Sequence, residues 1–394
     1  MIPMKDVDIL IGSLPEQVKL YSPFDDLLCE FVGSFSKAVL HDTKAKQMPD
    51  VISLGYWCRA ANIQKMKEKC TDRQERLGRG VAFHVTPSNI PVNFAFSFFF
   101  SLLAGNANIV RVPSKVTPER ECIIRILKEV LEPYKEIKKR TMFVSYPAKS
   151  DATEFFSRLS DVRIIWGGDE TIEAIRLHPA KPRCVDITFA DRYSLALING
   201  KYVLEADEKE IQRLARAFYN DTFYMDQNAC SSPQLILWQN TCKEAKNKFW
   251  DAVYSYTQKH YIFPAIEAVN KYCRVCENII DSDSIDSIVT KGNVIIREKL
   301  KALLPDEMLL FRGRCGQFFE YDLEDISEIN GIVNEKYQTL SYYGYNPKKI
   351  QKWIVREGLT GIDRIVPIGK TMEIGIVWDG YNLTESLSRI ISAE

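Results

Sequence analysis

Cys230 lies in the run Asp226-Gln227-Asn228-Ala229-Cys230-Ser231-Ser232-Pro233, a polar turn that enters an apolar stretch. Nucleophiles are usually presented from loops at the edges of elements, where the side chain can meet a substrate. A thiolate both attacks a carbonyl and leaves from one, so a cysteine here suits an acyl-enzyme intermediate. The plainer alternative is a small buried residue, which is what free cysteines usually are. The chain has ten cysteines, and spacing alone favours that alternative.

A second run, His84-Val85-Thr86-Pro87-Ser88-Asn89-Ile90-Pro91, joins a β-rich stretch to an apolar helical one. Asn89 there could donate its side-chain amide to a developing oxyanion. Simple turn chemistry at Pro87, Ser88 and Asn89 explains the same residues equally well. In a third run, Trp166-Gly167-Gly168-Asp169-Glu170, two glycines let the backbone approach a ligand, and a following helix start favours a phosphate. It lacks the G-x-G-x-x-G spacing, and Asp169 reads as well as a plain helix cap. Cys273-x-x-Cys276 has metal-like spacing without a second pair, and the four histidines are dispersed, so no metal is expected.

The elements that must position these residues alternate. Candidate strands run over residues 81–85, 108–112, 141–145, 162–166 and 185–189, with candidate helices over 91–104, 118–131, 152–159 and 169–177. Thr117 can cap the second helix, Pro118 suits its first position, and Glu119 and Glu121 complement its dipole. Alternation of this kind predicts right-handed crossovers and a parallel sheet covered on both faces. Ligands in such sheets bind beyond the carboxyl ends of the strands, so a cofactor is expected at the turns after them. A second unit follows, with strands near 195–198 and 234–238 and helices near 208–219 and from 243. The first 79 residues read as mostly helical and packed against the first unit.

At 394 residues the chain is too long for one ordinary core. Lys+Arg and Asp+Glu both total 52, and this zero balance argues against a dedicated nucleic-acid or anionic-membrane surface. The most apolar stretch, residues 94–104, is about half what a membrane span needs and reads as a buried helix. No export signal is apparent and the cysteines lack a framework spacing, so a reducing cytoplasm is expected.

Taken together, these segments resemble the aldehyde dehydrogenase superfamily. Thr86-Pro87-Ser88-Asn89-Ile90-Pro91 resembles its oxyanion-asparagine motif. That motif continues, as in the family, through Gly105-Asn106 into Ile109-Val110-Arg111-Val112-Pro113-Ser114. Trp166-Gly167-Gly168 resembles its second glycine turn, and Gln227-Asn228-Ala229-Cys230 its nucleophile segment. Within the superfamily the chain is most similar to LuxC-type acyl-CoA reductases, through residues 84–91 and 226–234, Gly361–Lys370 and Trp378-Asp379-Gly380-Tyr381.

The resemblance implies an aldehyde-dehydrogenase-like α/β fold. A Rossmann-type parallel-sheet cofactor domain with an N-terminal helical region is expected over 1–194. A second α/β catalytic domain is expected over 195–364, and a segment over 365–394 that packs on the first domain or forms an oligomer interface. It implies reduction of a long-chain acyl thioester, carried by CoA or a protein, to an aldehyde through acyl-Cys230, with Asn89 as oxyanion donor. Thr86, Pro87, Arg111, Ser114, Lys115, Gly167 and Gly168 would meet the cofactor. The usual lysine before Pro-Ser is Val112 here, and Arg111, Ser114 and Lys115 lean toward a 2′-phosphate, hence NADPH over NADH. The family's hydrolytic glutamate has no counterpart in Val185–Phe189, which fits a reductase and leaves Asp186 as an acid/base candidate. A homo-oligomer and an acyl-protein synthetase or transferase partner are implied as well. The rival readings are an oxidising aldehyde dehydrogenase and a non-catalytic acyl carrier or scaffold.

Overall fold

The computed structural model describes residues 6–70, 74–87 and 90–393. By contacts the chain divides into two units, one running to Asp191 and resuming at Gly375, the other spanning Arg192–Ile374.

Up to Asp191 the strands of the first unit are β1 (Asp8–Gly12), β2 (Arg76–Gly78), β3 (Val81–Val85), β4 (Ala107–Arg111), β5 (Thr141–Ser145), β6 (Val162–Trp166) and β7 (Val185–Phe189). Its main sheet has the order β1-β5-β4-β3-β6-β7. The strands β3 to β7 pair in parallel, and β1 adds antiparallel to β5. The strand β1 corrects the expectation of a mostly helical start. Its Asp-Ile-Leu-Ile run ends at Gly12, where φ is +68° and an added Cβ would lie 1.9 Å from the Thr141 carbonyl oxygen. Only glycine lets the two backbones approach that closely. Three helices, Asp26–His41, Pro49–Trp57 and Ala60–Lys69, supply the helical part of that region, and the short strand β2 closes it.

The helix Pro118–Leu131 begins where its signals place it, with Thr117 Oγ1 accepting from Arg120 N at 3.2 Å. The apolar helix Asn93–Leu103 is buried at every position. Its Phe98 packs edge-on against Phe31 and its Phe99 tilted against Phe35, with ring centroids 6.5 and 4.8 Å apart. Each such ring removed from water contributes about 2–3 kcal/mol, so this helix is core rather than surface. Among the described residues no helix is long and apolar enough to cross a membrane.

The second unit carries β8 (Tyr193–Asn199), β9 (Pro233–Gln239), β10 (Ile285–Lys291), β11 (Ile295–Leu300), β12 (Gln317–Leu323), β13 (Tyr337–Tyr343) and β14 (Arg364–Pro367). They form a seven-stranded sheet in the order β10-β11-β12-β9-β8-β13-β14, parallel except for β10 at its edge. One face packs Phe218, Phe249, Trp250 and Phe318, and the other packs Leu235, Leu237, Phe319 and Leu340. Strands covered on both faces read as continuous apolar runs, as Gln-Leu-Ile-Leu-Trp does in β9. The strand β14 pairs with β13, which places residues 364–367 inside this unit.

Candidate active site

The turn that carries Cys230 is held against its own backbone preferences. The helix Glu208–Asp221 ends at Thr222, and a 3₁₀ turn, Phe223–Met225, leads into Asp226 and Gln227. These two side-chain-bearing residues stand at φ +52° and +57°, a left-handed conformation that costs about 1 kcal/mol each. The buried Gln227 amide fixes them. Its Oε1 accepts from Gly316 N at 2.7 Å and its Nε2 donates to Gln317 O at 3.0 Å. Gln234 adds a second clamp, donating to Gln227 O at 3.2 Å and accepting from Gly313 N at 2.8 Å. Cys315 N donates to Asp226 O at 3.2 Å. Backbone held in sparsely populated conformations by surrounding contacts is typical of functional turns.

Cys230 itself is half-buried. Its carbonyl oxygen accepts from Ser194 Oγ at 2.7 Å, and that hydroxyl accepts from Thr339 N at 3.2 Å. Its sulfur accepts from Gln338 Nε2 at 3.5 Å. Gln338 is only 1% exposed, and Thr339 Oγ1 donates to its Oε1 at 3.3 Å, which orients the amide nitrogen toward Cys230. Arg364 lies beside Thr339 across the β13–β14 pair. Burial holds its guanidinium below the ordinary arginine range, against the opposing charges of Asp221, Glu373 and Cys230. Arg364 also donates to the carbonyls of Lys370, Thr371 and Glu373, at 2.8, 2.5 and 2.5 Å. It is therefore a fixed cation whose field favours negative charge on the Cys230 sulfur.

Asp221 holds the same 369–373 segment that Arg364 binds. Its carboxylate accepts from Gly369 N at 2.6 Å and Thr371 N at 3.0 Å. Burial pushes it up to about 6, partly opposed by those bonds and by Arg364. Burial raises the thiols of Cys29, Cys58, Cys122, Cys184 and Cys315, which favours their protonated form.

In the first unit the expected cofactor residues cluster at the carboxyl ends of the parallel strands. Thr86 follows β3 and donates to Arg111 O at 3.0 Å, and Pro87 is next to it. Arg111 ends β4 with its guanidinium 4.8 Å from the centre of the Tyr146 ring. Its Nε is buried without a hydrogen-bond partner. Ser114 donates to Tyr146 O at 3.0 Å, and Lys115 is exposed. Gly167 and Gly168 follow β6, and an added Cβ at Gly168 would meet nothing within 4 Å. An open glycine turn, an orphaned guanidinium nitrogen and nearby cations fit the phosphates of a nucleotide.

Asn89 lies outside the described residues. Asp186 is tied to Arg163 by two bonds, 2.7 and 2.8 Å, with Arg176 at 3.5 Å. Both its oxygens are occupied, so it is a structural anchor rather than a free acid or base. His84 is a core residue that burial pushes down to about 4. Its ring nitrogens meet Ser97 Oγ at 2.7 Å and Asn108 Oδ1 at 3.0 Å. Among the described residues no three His, Cys, Asp or Glu side chains are grouped to hold a metal.

Gln338, Arg364, Asp221 and Ser194 escaped the sequence reading. A glutamine inside the strand Tyr-Gln-Thr-Leu-Ser was the one available signal, because a buried polar side chain in a parallel strand must be partnered.

The acyl-CoA reductase (LuxC) family matches residues 59–390. No curated protein matches the chain. Among solved structures, aldehyde dehydrogenase 21 from Physcomitrella patens, in complex with its reaction product succinate, aligns at a TM-score of 0.63 and 11% identity. That alignment covers 92% of this chain and 83% of the other. A putative aldehyde dehydrogenase from Burkholderia cenocepacia aligns at 0.61 and 10%, with coverages of 92% and 83%. A bifunctional proline utilization A protein aligns at 0.62 and 13%, over 92% of this chain but only 42% of that one. These similarities establish an aldehyde dehydrogenase fold. With the family match over most of its length, the chain belongs to the LuxC acyl-CoA reductases, oxidoreductases that act on acyl groups.

Proposed function

We propose that the chain reduces a long-chain acyl thioester to an aldehyde through an acyl-Cys230 intermediate, with NADPH as the preferred cofactor. The observation that carries this reading is the half-buried Cys230, set on a clamped turn with its sulfur bonded by the Gln338 amide and within the field of the Arg364 cation.

The Cys230 thiolate attacks the acyl carbon, the carbonyl oxygen takes the negative charge, and the donor thiol leaves with the electrons of the old C–S bond. The Cys230 backbone N–H and Asn89 are the expected donors to that oxyanion. Gln338 and Arg364 favour the thiolate in both the attacking and the leaving direction, so they assist acylation and the final release of aldehyde. Arg111, Ser114, Lys115 and the Gly167–Gly168 turn hold the phosphates, with Thr86 and Pro87 beside them. When bound, the nicotinamide supplies hydride to the acyl carbon. The absence of a glutamate in β7 leaves no side chain there to activate water, which protects the thioester. An acyl-protein synthetase or transferase is the expected source of the acyl group.

The test is intact mass after incubation with a long-chain acyl-CoA, with Cys230→Ala in parallel, followed by NADPH. An adduct that is absent from the variant and discharged by NADPH is expected. Full reductase activity in Cys230→Ala would overturn the proposal. Rapid aldehyde oxidation without a thiol acceptor would favour the dehydrogenase reading instead, and failure to bind any nicotinamide would favour the carrier.

A further inference from the structure

The helix Ala265–Asp281 is amphipathic in the unusual sense, with its polar side toward the core. Lys271 and Val275 are the residues it buries. Lys271 Nζ donates to Val294 O and Cys315 O, both at 2.8 Å. Arg274 and Asn278 turn the same way and reach Gln317 at 3.3 Å and Glu298 at 3.0 Å. The opposite side is apolar and open to solvent, with Ile266 62%, Val269 58%, Tyr272 67% and Ile280 81% exposed. Ile266, Val269, Cys273, Cys276 and Ile280 recur at alternating steps of three and four residues. That is the seam of a paired helix, and helices of monomeric domains normally turn such a stripe inward.

We propose that this stripe is covered by the same helix of a second copy of the chain, packed antiparallel about a two-fold axis. The order of side-chain sizes along the seam points to a self-pairing. Large residues, Ile266 and Val269, precede two small ones, Cys273 and Cys276, and large Ile279 and Ile280 follow. A two-fold axis between the cysteines sets Val269 against Ile280 of the second copy and Cys273 against its Cys276. In that register Tyr272 meets the second copy's Ile279 on one flank, and Asn270 meets its Glu277 on the other. The first contact is apolar and the second pairs an amide with a carboxylate, so no like charges meet across the seam. A partner of unrelated sequence would not require this internal symmetry. The exposed apolar surface of the stripe, with Ile262 just before it, is on the order of 800 Å², which one protomer contributes to an interface of ordinary size. A monomer rarely leaves such a patch open.

The cysteines make the register testable in the full chain. Under diamide, two thiols lose two protons and two electrons to the reagent and form one S–S bond. Wild type is expected to give a covalent dimer on a non-reducing gel. Cys273→Ser and Cys276→Ser are each expected to give none alone. An equimolar mixture of the two variants, exchanged before oxidation, restores the dimer, because Cys276 of one then faces Cys273 of the other. Val269→Glu, at an exposed position, is expected to halve the mass of the assembly in sedimentation while keeping the wild-type circular dichroism. A monomeric wild type, a variant mixture that does not crosslink, or a Val269→Glu assembly of unchanged mass would each overturn the proposal.

Discussion

The two units use the same strand–helix alternation and bury polar groups to opposite ends. In the first unit one buried polar network closes on itself. Trp166 Nε1 donates to Ser97 Oγ at 3.1 Å, Ser97 meets His84, His84 meets Asn108, and Asn108 Nδ2 donates to Asn106 O at 3.0 Å. Every member is satisfied and His84 is fully buried. In the second unit one set of buried polar side chains, apart from the closed Glu320 cluster with Trp238, Trp250 and Arg297, is instead directed at the half-buried Cys230 and its neighbourhood. Gln338 points at the Cys230 sulfur, Ser194 holds its carbonyl, and Asp221 and Arg364 brace the segment 369–373. A buried polar network that is saturated internally rigidifies a core, whereas one aimed at an accessible atom prepares a reaction. His84, which lies in one of the candidate segments, belongs to the first kind.

The largest effect should fall on the second unit. Cys230→Ala is expected to lower aldehyde formation at least about a thousandfold, with cofactor binding unchanged, because only the bond-forming atom is lost. His84→Gln is expected to leave the rate of Cys230 alkylation by iodoacetamide within about twofold of wild type, since the two residues belong to different units and the hydrogen bonds of each stay within its own unit. Comparable losses of alkylation in Gln338→Leu and His84→Gln would break the contrast between the units.

The two units should also respond oppositely to acid. His84 is held neutral down to about pH 4, whereas an unfolded histidine protonates near 6.5. Between those values the unfolded state binds the extra proton, so the first unit loses stability as pH falls. Asp221 protonates near 6 in the fold and near 3.8 when unfolded. There the native state binds the extra proton, so this group's contribution to the second unit rises as pH falls from about 6. Each contribution is about 3 kcal/mol across its window. Hydrogen exchange read peptide by peptide at pH 6.5 and 4.5 should show protection falling around 81–111. His84→Gln should flatten that slope. Asp221→Asn should remove the opposing trend around 221 and 369–371.

The sequence carried much of the first unit and little of the chemistry of the second. Strands such as Val81–Val85 and Thr141–Ser145 could be bounded from the sequence because apolar β-branched runs alternate with capped helices, as at Thr117. The strand β1 was missed because its pairing with β5 lies more than a hundred residues away. Cys230 stood out by its turn chemistry and by resemblance. Gln338 and Arg364 did not, since each acquires its meaning only when β13 and β14 bring it beside a turn that precedes it by over a hundred residues. Asp186 failed in the same way, because its partners Arg163 and Arg176 belong to other elements.

A smaller effect separates the two donors at Cys230. Gln338→Leu removes one hydrogen bond to a sulfur that Arg364 still faces. A hydrogen bond to a charged group contributes about 1.5–3 kcal/mol, so alkylation should slow roughly tenfold to a hundredfold. Gln338→Glu, which replaces the donor by a carboxylate, should slow it further and move the pH profile of alkylation upward. An unchanged profile in both variants would leave Arg364 as the single residue that activates the thiol.

The smallest effect is expected in the first unit, on cofactor choice. Arg111 is partly buried with an unpaired Nε, whereas Lys115 is exposed. A solvated cation contributes about 0.5 kcal/mol to an anion beside it, so Lys115→Gln should reduce the preference for NADPH over NADH only about twofold to threefold. Arg111→Gln removes a desolvated guanidinium and should cost about tenfold. Both losses should appear in KM for NADPH, and that of Lys115→Gln should shrink as salt is raised. Neither variant should alter Cys230 alkylation, because the residues that activate the thiol lie in the other unit. A fall in alkylation would mean that the sheet end of the first unit also shapes the nucleophile, and the division of binding from chemistry between the units would then fail.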